Sequence, residues 1–253
     1  MNIEFSGKTV IVTGAAHGFG RAIAQAFASR GASVHVCDVN EAGIEETVAL
    51  CGGASAVAHV LDVGDRSAVQ ATVAKIEAAD GAVDILVNNA GGVRGQVGRP
   101  IEEISESDWQ TIFDVNLSGA FFMAQAVAPS MKQRKFGRVI NISSGAGLGI
   151  SLTGIQAYAS AKAGQIGLTR QLAHELGPWN ITVNNVAPGF VLSNPTTERQ
   201  WEAMGEEGQK RLLDNIALKR LGRPDDIANM VLFFASDHAQ WISGQVISVD
   251  GGK

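Results

Sequence analysis

Short apolar runs alternate with segments of helical periodicity from near the start of the chain to its end. Apolar residues three and four positions apart predict helices, and short β-branched runs that end in turn-forming residues predict strands. Strands that are apolar throughout are typical of a parallel sheet with helices on both faces. The strand-like runs are TVIVTG, SVHVCD, AVAHVLDV, VDILVNNAG, GRVINISS, ITVNNVAPG and QVISVDGG. The pattern therefore predicts an α/β protein with a parallel sheet.

The longest helical segment spans about residues 105–135, and a second long one spans about residues 155–176. The first contains Pro129, which has no backbone N–H to donate, so we expect the helix to bend or restart there. Two other stretches have no clear periodicity. Residues 91–104 are rich in glycine, whereas residues 193–215 are polar and interrupted by glycine.

Both irregular stretches follow predicted strands. Ligands bind beyond the carboxyl ends of parallel strands, so we predict that these stretches contact substrate. We expect 193–215 to form a mobile lid. Ordinary surface connections are the alternative.

Composition and charge narrow the class of protein. The 253 residues are 45% hydrophobic and 18% charged, enough for a large core, and show no linker or internal repeat. The net charge of −5 argues against a general nucleic-acid surface. We see neither an apolar run of roughly 20 residues nor a signal peptide, so we expect a cytoplasmic protein with no membrane span. Cys37 and Cys51 form no disulfide framework, and the histidines lack ligand spacing, so we expect no metal.

The motif TGAAHGFG joins the first predicted strand to the first predicted helix. Its glycines are Gly14, Gly18 and Gly20. Such a turn lets the backbone approach a pyrophosphate and places that anion at a helix N-terminus, where free N–H groups favour negative charge. A glycine triplet alone is weak evidence, but the strand–turn–helix context is the one that dinucleotide binding requires.

Asp38 ends the second predicted strand, 18 residues after Gly20. A carboxylate there can accept hydrogen bonds from ribose hydroxyls and would repel a 2′-phosphate. No basic residue follows within 39–41, and the glycine turn carries Ala16 and His17 instead of Lys or Arg. These features favour NAD(H) over NADP(H). A capping role for Asp38 is the alternative.

The motif YASAK contains the only tyrosine of the chain, Tyr158, and places Lys162 four residues after it. Residues four apart lie on one face of a helix. The pair is open to two interpretations. Tyr158 is either an amphipathic helix residue with its ring buried and its hydroxyl in water, or a phenol whose deprotonation a nearby ammonium favours.

The order and spacing of TGAAHGFG, NNAG at 88–91, YASAK and PGFV at 188–191 resemble the short-chain dehydrogenase/reductase family over essentially the whole chain. The resemblance implies one doubly wound, Rossmann-like domain over residues 1–253 with a seven-stranded parallel sheet. It also implies a homotetramer. The residues that would bind the dinucleotide are Gly14, His17, Gly18, Phe19, Gly20, Asp38, Asp62, Val63, Asn89, Ala90, Gly91, Tyr158, Lys162, Pro188, Gly189, Val191 and Ser193.

The same resemblance implies four catalytic residues. Tyr158 would be the general acid/base, and Lys162 would lower its pKa and hold the nicotinamide ribose. Ser144 would orient the substrate oxygen, with Ser143 as its competitor, and Asn116 would support a proton-relay water. Ser144 precedes Tyr158 by 14 residues, one more than is common in the family, so the intervening loop must accommodate an extra residue.

The predicted substrate pocket contains many polar side chains. The candidate contacts are Arg94, Ser144, Gln156, Tyr158 and Asn194. Arg94 could pair with a carboxylate, although a solvent-facing position is equally compatible with the sequence. We expect a sugar, polyol or hydroxy acid whose hydroxyl is oxidised with NAD. The alternatives are a 3-oxoacyl reductase for carrier-linked substrates and a non-catalytic dinucleotide-binding module.

Overall fold

A single sheet of seven parallel strands forms the centre of the fold, as predicted. The structure, a computed structural model, describes residues 3–53 and 55–253. The strands follow the order β3-β2-β1-β4-β5-β6-β7 across the sheet. They are β1 (Thr9–Thr13), β2 (Ser33–Asp38), β3 (Ala56–Val60), β4 (Ile85–Asn88), β5 (Gly137–Ile142), β6 (Ile181–Pro188) and β7 (Val246–Val249). The chain is doubly wound, because the strand order reverses between β1 and β4.

Helices cover both faces of this sheet. They are α1 (Gly18–Ala28), α2 (Glu41–Leu50), α3 (Arg66–Asp80), α4 (Glu106–Phe113), α5 (Gly119–Arg134), α6 (Gln156–Leu176), α7 (Pro195–Ala203), α8 (Gly205–Asp214) and α9 (Pro224–Ala235). Side chains alternate between the faces of a strand. Val10 and Val12 therefore pack with α1 and α9 on one face, whereas Ile11 packs with α3 and α5 on the other.

The long helical segment departs from α geometry at a different place from the one we expected. It continues through Pro129 to Arg134, and a π turn at Asp114–Ser118 separates α4 from α5. Gln125, whose carbonyl loses its hydrogen-bond partner at Pro129, lies like Pro129 on the exposed side, where water can replace the missing bond. The π turn instead contains Asn116, which is completely buried.

The stretch Glu106–Arg134 is long enough to span a membrane, and its most apolar window of 18 residues has a mean hydropathy of 1.2. This differs from our expectation that no such segment exists. Its buried residues explain the composition, because Met123, Val127 and Met131 belong to the core between α5 and the sheet. A helix that covers a central parallel sheet needs an apolar face of this size.

Two histidines that seemed unrelated in the sequence meet in the structure. Nδ1 of His35 on β2 lies 2.9 Å from Nε2 of His59 on β3, and Nε2 of His35 lies 2.9 Å from a carboxylate oxygen of Asp80. Because the carboxylate accepts, Nε2 of His35 carries the proton. A neutral His35 then accepts from Nε2–H of His59, so each imidazole has a partner. We call these three residues the histidine cluster.

The predicted lid, 193–215, contains α7 and α8. Gly205, the first residue of α8, has a φ of +61°, a left-handed conformation that favours glycine. The aromatic rings of Phe190 and Trp201 lie 6.1 Å apart at its base. The stretch packs beside the glycine turn, and its mobility stays a prediction.

Candidate active site

The glycine turn between β1 and α1 has no room for side chains. A Cβ on Gly20 would lie 2.1 Å from the carbonyl oxygen of Gly14, and one on Gly14 would lie 2.8 Å from Cα of Ala90. A Cβ on Gly18 would lie 2.8 Å from the carbonyl oxygen of Ser193. The turn is therefore held closely between β4 and the lid, which explains all three glycines.

The N-terminus of α1 fits an anion. His17, the N-cap residue, makes no side-chain capping bond, and the first turn contains no acidic residue. The first backbone N–H groups of a helix have no partners within the helix, and the dipole favours negative charge there. Together with the turn that no Cβ could fill, this fits the pyrophosphate of a dinucleotide.

Asp38 both closes the glycine turn and lines the cavity beside it. One of its carboxylate oxygens accepts from the N–H of Ala16 at 3.1 Å, and the other accepts from the N–H of Asn40 at 3.0 Å. The capping role is therefore present. Each oxygen has a further lone pair, so a ribose contact is compatible with it.

A cavity of about 990 Å³ extends from Asp38 past the carboxyl ends of the strands to the lid. Of the residues predicted to bind the dinucleotide, all except Gly20 line it. Gly20 lies behind the turn, against Gly14. Sequence motifs that are far apart along the chain thus form the wall of one cavity at the reversal of strand order, where α/β sheets bind ligands.

Helix α6 carries Tyr158 and Lys162 into this cavity. Nζ of Lys162 lies 5.9 Å from the centroid of the Tyr158 ring and donates to the carbonyl oxygen of Ile142 at 2.9 Å. A Cβ on Gly91 would lie 2.6 Å from Oδ1 of Asn116 and 3.1 Å from Nζ of Lys162. The amide and the amine therefore both lie against the position that a Cβ of Gly91 would occupy, although Asn116 itself does not line the cavity.

Backbone contacts fix the side chain of Asn116. Its Oδ1 accepts from the N–H of Gly92 at 2.9 Å, and its Nδ2 donates to the carbonyl oxygens of Gly92 and Ile112. The π turn places this side chain towards the glycine-rich loop. π turns inside helices occur frequently at functional sites.

The two serines after β5 have different surroundings. Ser143 is buried, and its hydroxyl donates to Oδ1 of Asn185. The hydroxyl of Ser144 accepts from the N–H of Ala146 at 3.1 Å and lies beside the hydroxyl of Tyr158. The geometry therefore favours Ser144 as the residue that contacts a substrate oxygen.

The pKa of Tyr158 shifts in the direction opposite to our expectation. Burial raises it, and the nearby Ser144 hydroxyl opposes that shift only in part. Burial also lowers the pKa of Lys162 to about 7, so near neutral pH this side chain is only partly charged. Desolvation is the largest cause at both groups, and the expectation that Lys162, together with oxidised nicotinamide, lowers the pKa of Tyr158 stays a prediction.

The predicted substrate contacts divide into two groups. Arg94 and Asn194 line the cavity with Ser144 and Tyr158, and Asn194 also caps α7 through its Oδ1. Gln156 does not line it, and its Nε2 donates to the carbonyl oxygen of Arg99 at 3.0 Å. The structure therefore gives no support for Gln156 as a substrate contact, and that role stays a prediction.

The loop between Ser144 and Tyr158 makes the pocket less polar than we predicted. Leu148, Ile150 and Leu152 line the cavity and are 51%, 99% and 52% exposed. The signal was present in the sequence as GLGISL, apolar residues in a segment without periodicity. We considered only the polar residues of this loop and so missed an apolar wall.

Known proteins resemble this chain along nearly its whole length. A family model described as Enoyl-(Acyl carrier protein) reductase matches residues 14–253. The hydroxy(phenyl)methylsuccinyl-CoA dehydrogenase subunit BbsD of Thauera aromatica is 40% identical, over 97% of this chain and 96% of that protein. The 3-oxoacyl-acyl-carrier-protein reductase FabG of Thermotoga maritima is 37% identical over 99% of both.

A solved structure has the same fold. The crystal structure of levodione reductase superposes with a TM-score of 0.91 and 30% identity, covering 98% of both chains. Similarity of this extent, in sequence and in fold, goes well beyond the nucleotide-binding half. The chain belongs to the short-chain dehydrogenase/reductase family, and is an oxidoreductase that acts on hydroxyl and carbonyl groups.

Proposed function

We propose that this protein interconverts 3-hydroxyacyl and 3-oxoacyl thioesters, carried by coenzyme A or an acyl carrier protein, with NAD(H) as cofactor. The observation that carries the proposal is the apolar wall formed by Leu148, Ile150 and Leu152 beside Ser144 and Tyr158. An acyl chain would cover these side chains, and burial of apolar surface contributes roughly 25 cal/mol per Å².

A sugar or polyol, which we expected from the sequence, fits this wall less well. Its hydroxyl groups would lose water against Leu148 and Leu152 without gaining hydrogen-bond partners, which is unfavourable. The names of the relatives from Thauera aromatica and Thermotoga maritima refer to acyl thioesters, which supports the same choice. The alternative of a 3-oxoacyl reductase is therefore better supported than our main prediction.

The environment of Asp38 supports NAD(H) over NADP(H). Beside it the cavity is lined by Val39, Asn40, Leu61 and Asp62. The guanidinium of Arg21, at the start of α1, is already engaged by the hydroxyl of Thr47 and by Glu46 at 2.6 Å. A 2′-phosphate would therefore lie beside the carboxylates of Asp38 and Asp62 with no unpaired cation near it among the described residues. Repulsion between two like charges 4 Å apart near a protein surface costs about 4 kcal/mol.

The proposed reaction assigns one step to each catalytic side chain. Tyr158, as phenolate, takes the proton of the substrate hydroxyl while the carbinol carbon loses a hydride and becomes a carbonyl. Ser144 donates a hydrogen bond to the oxygen on which charge develops. The bound nicotinamide supplies the hydride acceptor and, when oxidised, a positive charge that favours phenolate. Lys162 binds the nicotinamide ribose, and Asn116 supports the water that relays the proton.

Two surfaces support the prediction of a homotetramer. An apolar groove between α5 and α6 contains Leu117, Phe121 and Leu168. At one edge of the sheet, the strand β7 exposes Ile247 at 39%, and Trp241 is 97% exposed. Exposed apolar patches of this kind are typical of subunit contacts. The assembly and the cytoplasmic location stay predictions.

A substrate and cofactor panel tests the function. We expect reduction of acetoacetyl-CoA and 3-oxooctanoyl-CoA with NADH, at least about tenfold better than with NADPH, and little turnover of gluconate or sorbitol with NAD. Nicotinamide absorbance measures each rate. Turnover restricted to sugars or polyols would contradict the substrate class, and a preference for NADPH would contradict the role of Asp38.

A matched pair of variants tests the apolar wall itself. Leu152 and Leu50 are both 52% exposed, but only Leu152 lines the cavity. We expect Leu152→Ser to raise KM for 3-oxooctanoyl-CoA by about fivefold, since half a leucine contributes roughly 1 kcal/mol, and Leu50→Ser to leave KM unchanged. An equal KM in both variants would show that no acyl chain contacts this wall.

A further inference from the structure

The face of α6 that carries the catalytic side chains continues as a buried polar face. Tyr158, Lys162, Gln165 and Thr169 follow one another at spacings of four, three and four residues, so they share one side of the helix. Gln165 and Thr169 are completely buried. Helix faces against a central sheet are ordinarily apolar, so this face calls for a physical reason.

The sheet presents a matching row of amides to α6. Asn88 on β4, Asn141 on β5 and Asn185 on β6 lie directly beside one another in the strand register, and each is at most 2% exposed. Nδ2 of Asn88 donates to Oδ1 of Asn141 at 2.9 Å. Buried amides cost free energy unless they are hydrogen-bonded, and this bond joins β4 to β5.

Thr169 connects this row to the catalytic helix. Its hydroxyl accepts from Nδ2 of Asn141 at 2.9 Å and from Nδ2 of Asn185 at 3.3 Å, and donates to the carbonyl oxygen of Gln165 at 2.8 Å. Replacing the hydroxyl with a methyl group would leave two buried donors without an acceptor, a large penalty for a change of one atom.

Asn185 connects the same row to the catalytic serine. Its Oδ1 accepts from the hydroxyl of Ser143, the residue immediately before Ser144. The side chain of Asn185 therefore bonds on one side to the end of β5 that carries Ser144 and on the other to the helix that carries Tyr158. Neither Asn185 nor Thr169 lines the cavity.

We propose that Asn185 and Thr169 are positioning residues that fix the separation of Ser144 and Tyr158. The proposal rests on the catalytic pair described above and not on the identity of the substrate. Reaction rates depend steeply on such a separation, because a displacement of about 1 Å can lower kcat by roughly 100-fold. A purely apolar contact between α6 and the sheet would hold the two together but would allow α6 to pack in more than one register.

The single tyrosine gives a direct measurement. Tyrosine labelled with carbon-13 at Cζ yields one resonance, whose pH titration in the NAD-bound protein reports the pKa of Tyr158 alone. Thr169→Val removes the hydroxyl with little change of volume. Thr182→Val, on β6, is the matched control, because the buried hydroxyl of Thr182 has no partner among the described residues.

In Thr169→Val we expect the pKa of Tyr158 to rise, because the phenol loses the nearby Ser144 hydroxyl, which lowers that pKa. We expect kcat to fall by roughly tenfold, with KM and NAD affinity unchanged. Thr182→Val should have the wild-type pKa of Tyr158 and the wild-type kcat. Thr169→Ser, which keeps the hydroxyl, should also have wild-type values of the two quantities. Ser143→Ala, which breaks the same chain at its other end, should change them in the same direction and provides the test if Thr169→Val does not fold.

The proposal is overturned if Thr169→Val or Ser143→Ala loses stability while the Tyr158 titration and kcat stay at the wild-type values. The buried hydrogen bonds between α6 and the sheet would then be purely structural. The titration needs no substrate. A wild-type protein inactive on thioesters would therefore contradict the proposed function and leave this test intact.

Discussion

The histidine cluster and the active site both contain buried ionisable side chains, and they differ in what surrounds those side chains. In the histidine cluster, His35, His59 and Asp80 satisfy one another between β2, β3 and α3. In the active site, Lys162 has one carbonyl partner and lines the cavity with Tyr158. Burial lowers the pKa of His59 to about 4 and that of Lys162 to about 7.

The comparison shows that a shifted pKa does not by itself identify an active site. Desolvation is the largest cause at His59, Lys162 and Tyr158 alike. What distinguishes the active site is access to the cavity, where a ligand can supply the missing charge. Structural clusters shift pKa values as strongly as catalytic ones, so geometry must decide between them.

The largest effect is expected for Tyr158→Phe. Removal of the hydroxyl takes away the general acid/base, which contributes on the order of 10²–10⁴-fold to the rate. NADH affinity, measured by fluorescence titration, should stay within about twofold, since the ring is kept. Near-normal turnover in this variant would show that Tyr158 is not the general acid/base. Access to the cavity would then no longer distinguish the active site from the histidine cluster.

Lys162→Met separates catalysis from stability. We expect kcat to fall by roughly 100-fold and the free energy of unfolding at pH 7 to rise, because the variant no longer buries an ammonium. The pKa of Lys162 is lowered from 10.5 to about 7. The unfolded state therefore binds more protons between these values, and wild-type stability rises with pH until the advantage of the variant disappears.

Urea midpoints at pH 7 and pH 9.5 measure this difference. Lys8→Met is a suitable control, because Lys8 lies on the surface and pairs with Asp84 at 3.6 Å. A variant at Lys162 that is less stable than the wild type at pH 7 would show that the bond to Ile142 outweighs desolvation.

The smallest effect is expected for His59→Gln. The amide nitrogen of glutamine can donate to Nδ1 of His35 as the neutral imidazole does, but does not titrate. The pKa of His59 is lowered from 6.5 to about 4, so wild-type stability falls as pH decreases through this window. We expect the slope at pH 5 to flatten by roughly 1 kcal/mol per pH unit, with kcat unchanged.

Urea unfolding at several pH values between 4 and 7 gives this slope. Asp80, Lys75 and His35 also influence His59, so the slope should decrease without vanishing. A changed kcat in His59→Gln would mean that the histidine cluster acts on the active site after all.

The sequence predicted what depends on local pattern. The seven strands, the glycine turn and Asp38 follow from periodicity and spacing, and the positions of Ser144 and Tyr158 in the cavity follow from the resemblance to the family. The orientation of the Gln156 side chain could not be predicted in this way, because it depends on one hydrogen bond to the carbonyl oxygen of Arg99 in a distant loop. The histidine cluster depends on strand neighbours that periodicity cannot pair, and the pKa of Tyr158 depends on burial that spacing does not measure.

The π turn at Asp114–Ser118 has one more consequence. Such a turn holds one residue more than the α-helical path around it needs, so α4 and α5 could join smoothly if the chain were one residue shorter. The deletion would leave the two flanking helices in place but would remove the widened turn that carries Asn116, so the bonds of Asn116 to Gly92 would be lost. A change that makes the helix more regular would thus release the glycine-rich loop from the helix that holds it.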